Sequence, residues 1–379
     1  MPVWWGIFAY MMIVSALGVF TYKKKKLSVS TGPVDGSYTE DYKSIGLFFA
    51  LTTFVLLVFF AGKRSGIFDS LDYQYSYEHY YSFDLSQITD IITGKVKEKG
   101  PLFKILLILF KHFTHGTYND WFTFVALIQC LSIALFLYKY SVDFMYSVFC
   151  FFTTSTFLWL VNGMRQFLAV AFILFFVDWI KKRKTIPFIL IVIIAYFIHS
   201  SALIWIPVYF IINYQPWSFK YVILSIILAI ALYLYTRSSF LDDSDYSYLS
   251  NADYQKGVNP IRVAFMSIPS VLAFIRREEI EKKKDPFVNA WINLSLITSE
   301  CYIVSMFTSG VMGRMPVYFQ LFNLLLIPWL LDNVYSENGN KPLKWVFTIA
   351  FLVYFWYDMY IAGNGIYVSK ELNINYWYA

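Results

Sequence analysis

The sequence predicts an all-α integral membrane protein with about ten membrane-spanning helices. Hydrophobic residues make up 58% of the 379 residues and charged residues only 15%, against about 25% charged residues in soluble domains. Aromatic residues reach 21%, which is typical of a protein with much membrane–water interface. The apolar residues also form stretches close to the roughly 20 residues that a membrane-spanning helix needs. These features exclude an ordinary soluble protein, a disordered chain and a nucleic-acid-binding module.

Ten apolar stretches are predicted as full spans. In chain order they are Pro2–Phe20, Ile45–Ala61, Trp121–Tyr138, Val142–Val161, Met164–Ile180, Tyr221–Tyr235, Ile261–Ile275, Phe287–Phe307, Met315–Leu331 and Trp345–Ile361. A further stretch, Leu102–Phe113, is short and carries Lys104 and Lys111, so we expect a helix that lies in the membrane interface. Polar residues from His199 onward interrupt Ile186–Ile212, which predicts a broken, re-entrant pair of helices.

The positions of the basic residues predict the orientation. Lys23–Lys26 directly follows the first span, so the positive-inside rule places the N-terminus outside and this cluster in the cytoplasm. If Ile186–Ile212 enters the membrane and returns on the same side, Lys181–Lys184 and Arg276–Lys284 are cytoplasmic as well. Both termini are then predicted to be non-cytoplasmic.

The chain is predicted to be a single polytopic membrane domain, residues 1–379, with two external segments. Residues 62–120 include the interfacial helix, and residues 236–260 form an acidic loop. The three cysteines lie in apolar stretches without metal-ligand spacing, and P-loop, dinucleotide-binding and HExxH patterns are absent from the sequence. We therefore expect no metal, no cofactor and no nucleic-acid partner.

Charged side chains inside the apolar spans are the first candidate functional residues, because each costs about 2.5–3.5 kcal/mol on insertion scales. Arg165, followed by Gln166, begins a long apolar span. His199 lies at the break of the re-entrant pair, Arg314 lies in a boundary rich in Gly, and Glu300 lies within a span. A snorkelling arginine and a helix-capping histidine are the ordinary structural alternatives.

A second group follows the predicted span Ile45–Ala61. Arg64 closes this span, and Asp69, Asp72 and Tyr73 follow in a Tyr-rich stretch. In the predicted topology both groups of candidates fall on the external half of the protein. Several arginines that converge at membrane depth favour a multivalent anion with an apolar tail, because guanidinium binds phosphate oxygens in bidentate fashion. A lipid-linked pyrophosphate meets that description.

Four segments, in order, resemble motifs of the EpsG family of bacterial membrane proteins. They are Ala61–Arg64 followed by acids and Tyr, Asn162–Ala171 around Arg165-Gln166, Phe197–Ile204 around His199-Ser200-Ser201, and Gly313–Phe319 around Arg314. The resemblance extends over roughly Phe48–Leu331. It departs at Glu98–Phe103, where the acid that the family often has directly before Pro is displaced.

The resemblance implies a GT-C-like glycosyltransferase in the bacterial plasma (inner) membrane, related to the Wzy O-antigen polymerases. Such a protein joins undecaprenyl-pyrophosphate-linked oligosaccharide repeat units on the periplasmic face and so builds O-antigen, exopolysaccharide or capsule. Its expected partners are the lipid-linked donor and acceptor, membrane lipid and a chain-length regulator. A lipid-linked oligosaccharide flippase or a glycan ligase is the alternative.

If the polymerase reaction is assumed, the candidate residues receive roles. We expect Arg165 and Arg314 to hold the pyrophosphate. His199 is the favoured general base, and Glu300 and Asp72 are its rivals. Substrate binding is expected from the polar side chains beside them: Arg64, Asp69, Asp72, Tyr73 and Gln166.

Overall fold

The computed structural model describes residues 2–21, 45–79, 84–96, 98–237, 257–308, 312–335 and 342–374. Within these ranges the chain is all-helical, without a β-strand. The helices of the first half are α1 (Pro2–Thr21), α2 (Leu47–Thr52), α3 (Val55–Gly62), α4 (Ser70–His79), α5 (Ser86–Ile92), α6 (Pro101–Thr114), α7 (Tyr118–Tyr140), α8 (Phe144–Thr153), α9 (Met164–Leu174) and α10 (Val177–Lys181). A 3₁₀ helix, Thr156–Leu160, precedes α9.

The helices of the second half are α11 (Thr185–Ile198), α12 (Trp205–Ile211), α13 (Phe219–Arg237), α14 (Pro260–Ile275), α15 (Arg277–Lys283), α16 (Pro286–Met306), α17 (Asn323–Leu330) and α18 (Pro342–Trp356). The described residues of the second half also form three 3₁₀ helices, which are Ser200–Ile204, Met312–Tyr318 and Gln320–Phe322. They further include two π-helical turns, Leu331–Tyr335 and Tyr357–Ile361.

Three described helices, α1, α7 and α16, are long and apolar enough to cross a membrane. A fourth candidate is the pair Met312–Tyr318 and Gln320–Tyr335, which is bent by 50°. Five of the other six predicted spans correspond to shorter apolar helices of 10 to 17 residues. The sixth, Trp345–Ile361, lies on the 15-residue α18 and the π-helical turn that follows it. The protein is therefore an all-helical chain with clear membrane-spanning candidates, while the number of ten spans stays a prediction.

Several predicted spans are interrupted close to hydroxyl side chains that bond to backbone carbonyls one turn back. Thr153 and Thr154 bond in this way at 2.8 and 2.7 Å, and Ser155 then takes a left-handed conformation with φ of 58°. Val142–Val161 therefore becomes α8 and a separate 3₁₀ helix. Ile45–Ala61 divides in the same way into α2 and α3, where Thr53 bonds to a carbonyl of α2 at 2.7 Å.

One end of the helix bundle carries paired lysines and is called the lysine end below. Lys139, at the end of α7, pairs with Asp178. Lys344, at the start of α18, pairs with Asp143 at 2.9 Å and Asp332 at 3.1 Å. By the positive-inside rule this end is predicted to be cytoplasmic.

The opposite end of α7 is called the arginine end, because Arg64 and Arg165 lie there. Asn119, at the start of α7, donates to Glu371 at 2.7 Å, and Glu371 also pairs with Lys63 at 2.6 Å. With 23 residues, α7 separates the two ends by about 34 Å. Trp4 packs against Tyr367 with ring centroids 5.3 Å apart, so the beginning of α1 and the C-terminal segment lie at the same end.

The stretch predicted to be re-entrant reverses direction at His199. The Thr185 hydroxyl at the start of α11 lies 3.2 Å from the Tyr209 hydroxyl of α12. The rings of Phe188 and Tyr209 stack at 4.9 Å. Because α11 starts at the lysine end beside α10, the tip at His199 reaches toward the arginine end.

The two predicted external segments have different outcomes. In residues 62–120, α6 buries Phe103, Leu107 and Ile108, and Lys111 donates to the Tyr77 carbonyl at 2.7 Å. Its position in a membrane interface stays a prediction. Most of the acidic loop predicted at 236–260 lies outside the described residues.

Candidate functional site

Arg64 is a fully buried cation that joins α3 to α9. Its exposed fraction is 0%. One guanidinium nitrogen, Nη2, donates to the Met164 sulfur at 3.3 Å, and Nη1 donates to the Ala61 carbonyl. The guanidinium also lies 4.3 Å from the ring centroid of Phe122. Arg64 therefore supplies a fixed internal charge and has no exposed surface for direct contact with a ligand.

Asp69 lies beside this buried charge and faces the start of α9. Its Oδ2 accepts a hydrogen bond from the Gly163 N–H at 2.6 Å, and Gly163 has a φ of 84° that favours glycine. The other oxygen, Oδ1, is buried and has no hydrogen-bond partner among the described residues. Burial raises the pKa of Asp69 above its usual value, and the charge of Arg64 opposes that rise. Asp72, by contrast, is exposed.

Arg165 is held at the start of α9 by the external segment. Its backbone N–H donates to the Tyr73 hydroxyl at 3.4 Å, and its Nη1 donates to the Lys99 carbonyl at 2.8 Å. Gly100 has a φ of 69°, and a Cβ at this position would lie 2.5 Å from the Ile198 carbonyl oxygen and 3.2 Å from Arg165 Cδ. The loop can pass between Arg165 and the end of α11 only because residue 100 has no side chain.

Gln166 joins three segments through one amide group. It is 3% exposed, and its Nε2 donates to the Ser201 hydroxyl at 3.2 Å and to the Arg314 carbonyl at 3.1 Å. The Tyr318 hydroxyl lies 3.0 Å from the same Ser201 oxygen. Gln166 thus links α9 to the tip of the re-entrant pair and to the 3₁₀ helix that carries Arg314.

His199 lies at that tip and is 6% exposed. Its Nδ1 lies 2.7 Å from the Ser201 hydroxyl and accepts from the Ser201 backbone N–H at 3.4 Å. The charges of Arg165 and Arg314 both act on His199. The same two charges act on Tyr73, and that of Arg314 also acts on Asp69.

Four separate segments therefore bring cations, a carboxylate and an imidazole together at the arginine end. The residues that meet there are Arg64, Asp69, Tyr73, Arg165, Gln166, His199 and Arg314. Such a site can neutralise a multivalent anion, donate hydrogen bonds to it and accept a proton. The described residues contain no group of three His, Cys, Asp or Glu that could hold a metal ion.

A model of the EpsG family matches residues 47–376, most of the chain. The chain belongs to the EpsG family. No curated protein and no solved structure matches it. The EpsG family is associated with polysaccharide polymerases, so this chain is a membrane protein of polysaccharide biosynthesis. All four segments that form the site lie within the matched residues.

Glu300 of this EpsG protein lies apart from the site. It is half-buried on α16 and bonds to Ser225 of α13, and its charge acts on Tyr221. Its Oε2 is buried and has no hydrogen-bond partner among the described residues. These contacts join α16 to α13, away from the arginines of the site.

Sequence reasoning did not single out four residues of the site. Ser201 and Tyr318 stand inside the EpsG-like segments, so those motifs contain the signal that identifies them. Lys99 contributes a backbone carbonyl, and Gly100 contributes the absence of a side chain. The Lys99 carbonyl has no residue signature, because every residue has a carbonyl. A glycine such as Gly100 is visible in the sequence, but the sequence does not show which neighbour it lies against.

Proposed function

We propose that this EpsG protein is a GT-C-type repeat-unit polymerase. It joins undecaprenyl-pyrophosphate-linked oligosaccharide units at its arginine end, on the periplasmic face of the bacterial plasma membrane. The observation that carries the proposal is the convergence of Arg165 and Arg314, from separate segments, around His199 and Asp69. Family membership and the position of the lysines at the opposite end support it.

The proposed reaction transfers a growing glycan from its lipid carrier to a new unit. The terminal sugar hydroxyl of the acceptor attacks the anomeric carbon of the donor, and a new C–O bond forms. The bond between that carbon and the diphosphate breaks, and its electron pair leaves with undecaprenyl pyrophosphate. The hydroxyl proton passes to a base, and no nucleotide is consumed. Direct attack without a covalent intermediate inverts the anomeric centre.

The arginines stabilise the charge that develops on the leaving diphosphate. Arg165 and Arg314 are both partly exposed, so their guanidinium groups can contact phosphate oxygens directly. Removal of one such donor costs about 10²–10³ in rate when it acts as an oxyanion-hole donor does. Arg64 is buried and contributes through its charge, which also balances Asp69.

Asp69 is the carboxylate best placed to receive the proton. Its Oδ2 is fixed by Gly163, while its Oδ1 keeps an unused lone pair among the described residues. Its raised pKa makes it a stronger base than an ordinary aspartate. The rival carboxylates are less suitable, because Asp72 is exposed and Glu300 contacts α13.

The test is a polymerisation assay with purified protein in proteoliposomes and a defined lipid-linked repeat unit. We expect a ladder of products from the wild type, and no ladder from Arg165→Ala or Arg314→Ala at equal protein levels. Arg277→Ala is the matched control, since Arg277 is exposed near the lysine end. Full ladders from both site variants would refute the proposal. Transport of the lipid-linked unit without polymerisation would instead indicate a flippase.

A further inference from the structure

We infer that His199 acts as a neutral hydrogen-bond donor through its Nε2–H, and that Ser201 holds it in this form. His199 is then not the general base that the sequence suggests. The role of this donor rests on the proposed function, because the Nε2–H would bond to the leaving diphosphate. The protonation form itself follows from the hydrogen bonds of His199 and the two arginine charges beside it.

The backbone of Ser201 determines which form His199 Nδ1 takes. Its N–H can only donate, and it points to His199 Nδ1 at 3.4 Å. Nδ1 must therefore present a lone pair. A neutral imidazole carries one proton on its two nitrogens, so the proton of His199 lies on Nε2.

The hydrogen bonds of the Ser201 hydroxyl also have a defined direction. The Arg314 carbonyl can only accept, so the group of Gln166 that faces it is the NH₂, and its other N–H donates to the Ser201 hydroxyl. The Tyr318 hydroxyl lies 3.0 Å from the same oxygen. A hydroxyl has one proton and two lone pairs. Because Nδ1 presents a lone pair, the Ser201 hydroxyl donates its proton to it at 2.7 Å, and the Ser201 oxygen then accepts from Gln166 and from Tyr318.

A charged imidazole at His199 would be unfavourable for two reasons. An imidazolium would place an Nδ1–H against the Ser201 N–H, so two donors would face each other. It would also add a third cation to Arg165 and Arg314, whose charges already act on His199. His199 therefore stays neutral, and its Nε2–H has no partner among the described residues.

His199 therefore acts as a hydrogen-bond donor in the transfer reaction. The Nε2–H donates a hydrogen bond to an oxygen of the diphosphate that Arg165 and Arg314 hold, and no proton leaves His199. The acceptor hydroxyl proton passes to Asp69. Ser201, Gln166 and Tyr318 are positioning residues that act through His199.

The first experiment reads the protonation form directly, by ¹⁵N magnetic resonance of histidine-labelled full-length protein in lipid without substrate. The chain has 4 histidines, and the His199 signal is assigned by its loss in His199→Gln. We expect a pyridine-type Nδ1 and a pyrrole-type Nε2. Ser201→Ala keeps the backbone N–H but loses the 2.7 Å hydroxyl bond, so the pyridine-type Nδ1 signal should shift toward that of a nitrogen without a hydroxyl donor. Ser200→Ala, which removes the exposed neighbouring hydroxyl, should leave the signal unchanged. A protonated Nδ1 in the wild type would overturn the inference.

The second experiment uses the polymerisation assay. The side-chain NH₂ of glutamine can replace Nε2–H as a donor, but an amide is not a base. We therefore expect His199→Gln to lose no more than about tenfold, and His199→Ala to lose about 10²–10³-fold. Equal losses in both variants would indicate a base and overturn the donor role. His79→Gln, at an exposed position on α4, is the control. If the wild type shows the expected tautomer but makes no polymer, the proposed function fails and the tautomer assignment stands.

Discussion

Replacing Gly100 with alanine tests whether the fit between the external loop and Arg165 matters for activity. The new Cβ would lie 2.5 Å from the Ile198 carbonyl oxygen, whereas such C···O contacts normally measure about 3.3–3.6 Å. The loop or the end of α11 must therefore move by about 0.8 Å. Both neighbours of this contact belong to the site, since Arg165 lies on one side and Ile198 directly precedes His199.

The expected loss of activity follows from this displacement. A misplacement of about 1 Å can cost about 10² in rate, so we expect Gly100→Ala to slow product-ladder formation by about that factor. The left-handed backbone adds about 1–2 kcal/mol of destabilisation for a residue with a side chain. Stability is measured separately, by thermal unfolding of the purified protein.

Gly94 supplies the matched control. Its φ of 72° is close to the 69° of Gly100, but a Cβ there would meet nothing within 4 Å. Gly94→Ala should therefore lose the same backbone stability and keep its activity. Equal activity losses in the two variants, or full activity in Gly100→Ala, would refute the link between this contact and the site.

Three further variants probe separate parts of the site. Gln166→Leu removes the donor to Ser201 and Arg314, and we expect a loss of about 10²-fold in ladder formation from displaced groups. Asp69→Asn removes the proposed base and should cost about 10²–10⁴-fold. Asp69 faces Arg64, Tyr73 and Arg314. In the wild type, kcat/KM should fall as the pH drops through the raised pKa of Asp69. The acid limb of this pH profile should lie above the ordinary aspartate pKa of about 3.9. Arg64→Leu removes the charge that opposes the burial of Asp69 and should cost about 1–3 kcal/mol in unfolding free energy.

Each of these variants has a control elsewhere in the chain. Gln215→Leu, Glu78→Gln and Arg277→Leu change exposed residues of the same types outside the site. Wild-type ladder formation by Gln166→Leu or Asp69→Asn would contradict the roles given to those residues. An acid limb at the ordinary aspartate value would remove Asp69 as the base. An unfolding free energy of Arg64→Leu equal to that of Arg277→Leu would show that the buried charge does not balance Asp69.

Hydropathy predicted the long helices well, because length and apolar composition alone determine whether a helix can cross the bilayer. It predicted α1, α7 and α16 within a few residues. It missed the breaks within Ile45–Ala61 and Val142–Val161. Those breaks lie at one or two residues, such as Ser155 with its φ of 58°, and single residues barely change the mean hydropathy of a stretch.

The cost of burying charge made most of the site predictable. An arginine or histidine in an apolar membrane stretch is energetically costly and therefore often functional. The residues that this rule selects, Arg64, Arg165, His199 and Arg314, meet at one end of the bundle. Glu300 shows the limit of the same rule. Position along a helix predicts depth in the membrane, but the neighbours of a side chain depend on the face it occupies, and Glu300 faces α13.

The central claim is that Arg165 and Arg314 together hold one diphosphate. An experimental structure of the protein with undecaprenyl pyrophosphate bound measures this directly. We expect nitrogen atoms of both guanidinium groups within about 2.7–2.9 Å of phosphate oxygens, with His199 Nε2 facing the same group. A diphosphate bound at the lysine end, or in contact with neither arginine, would contradict the claim.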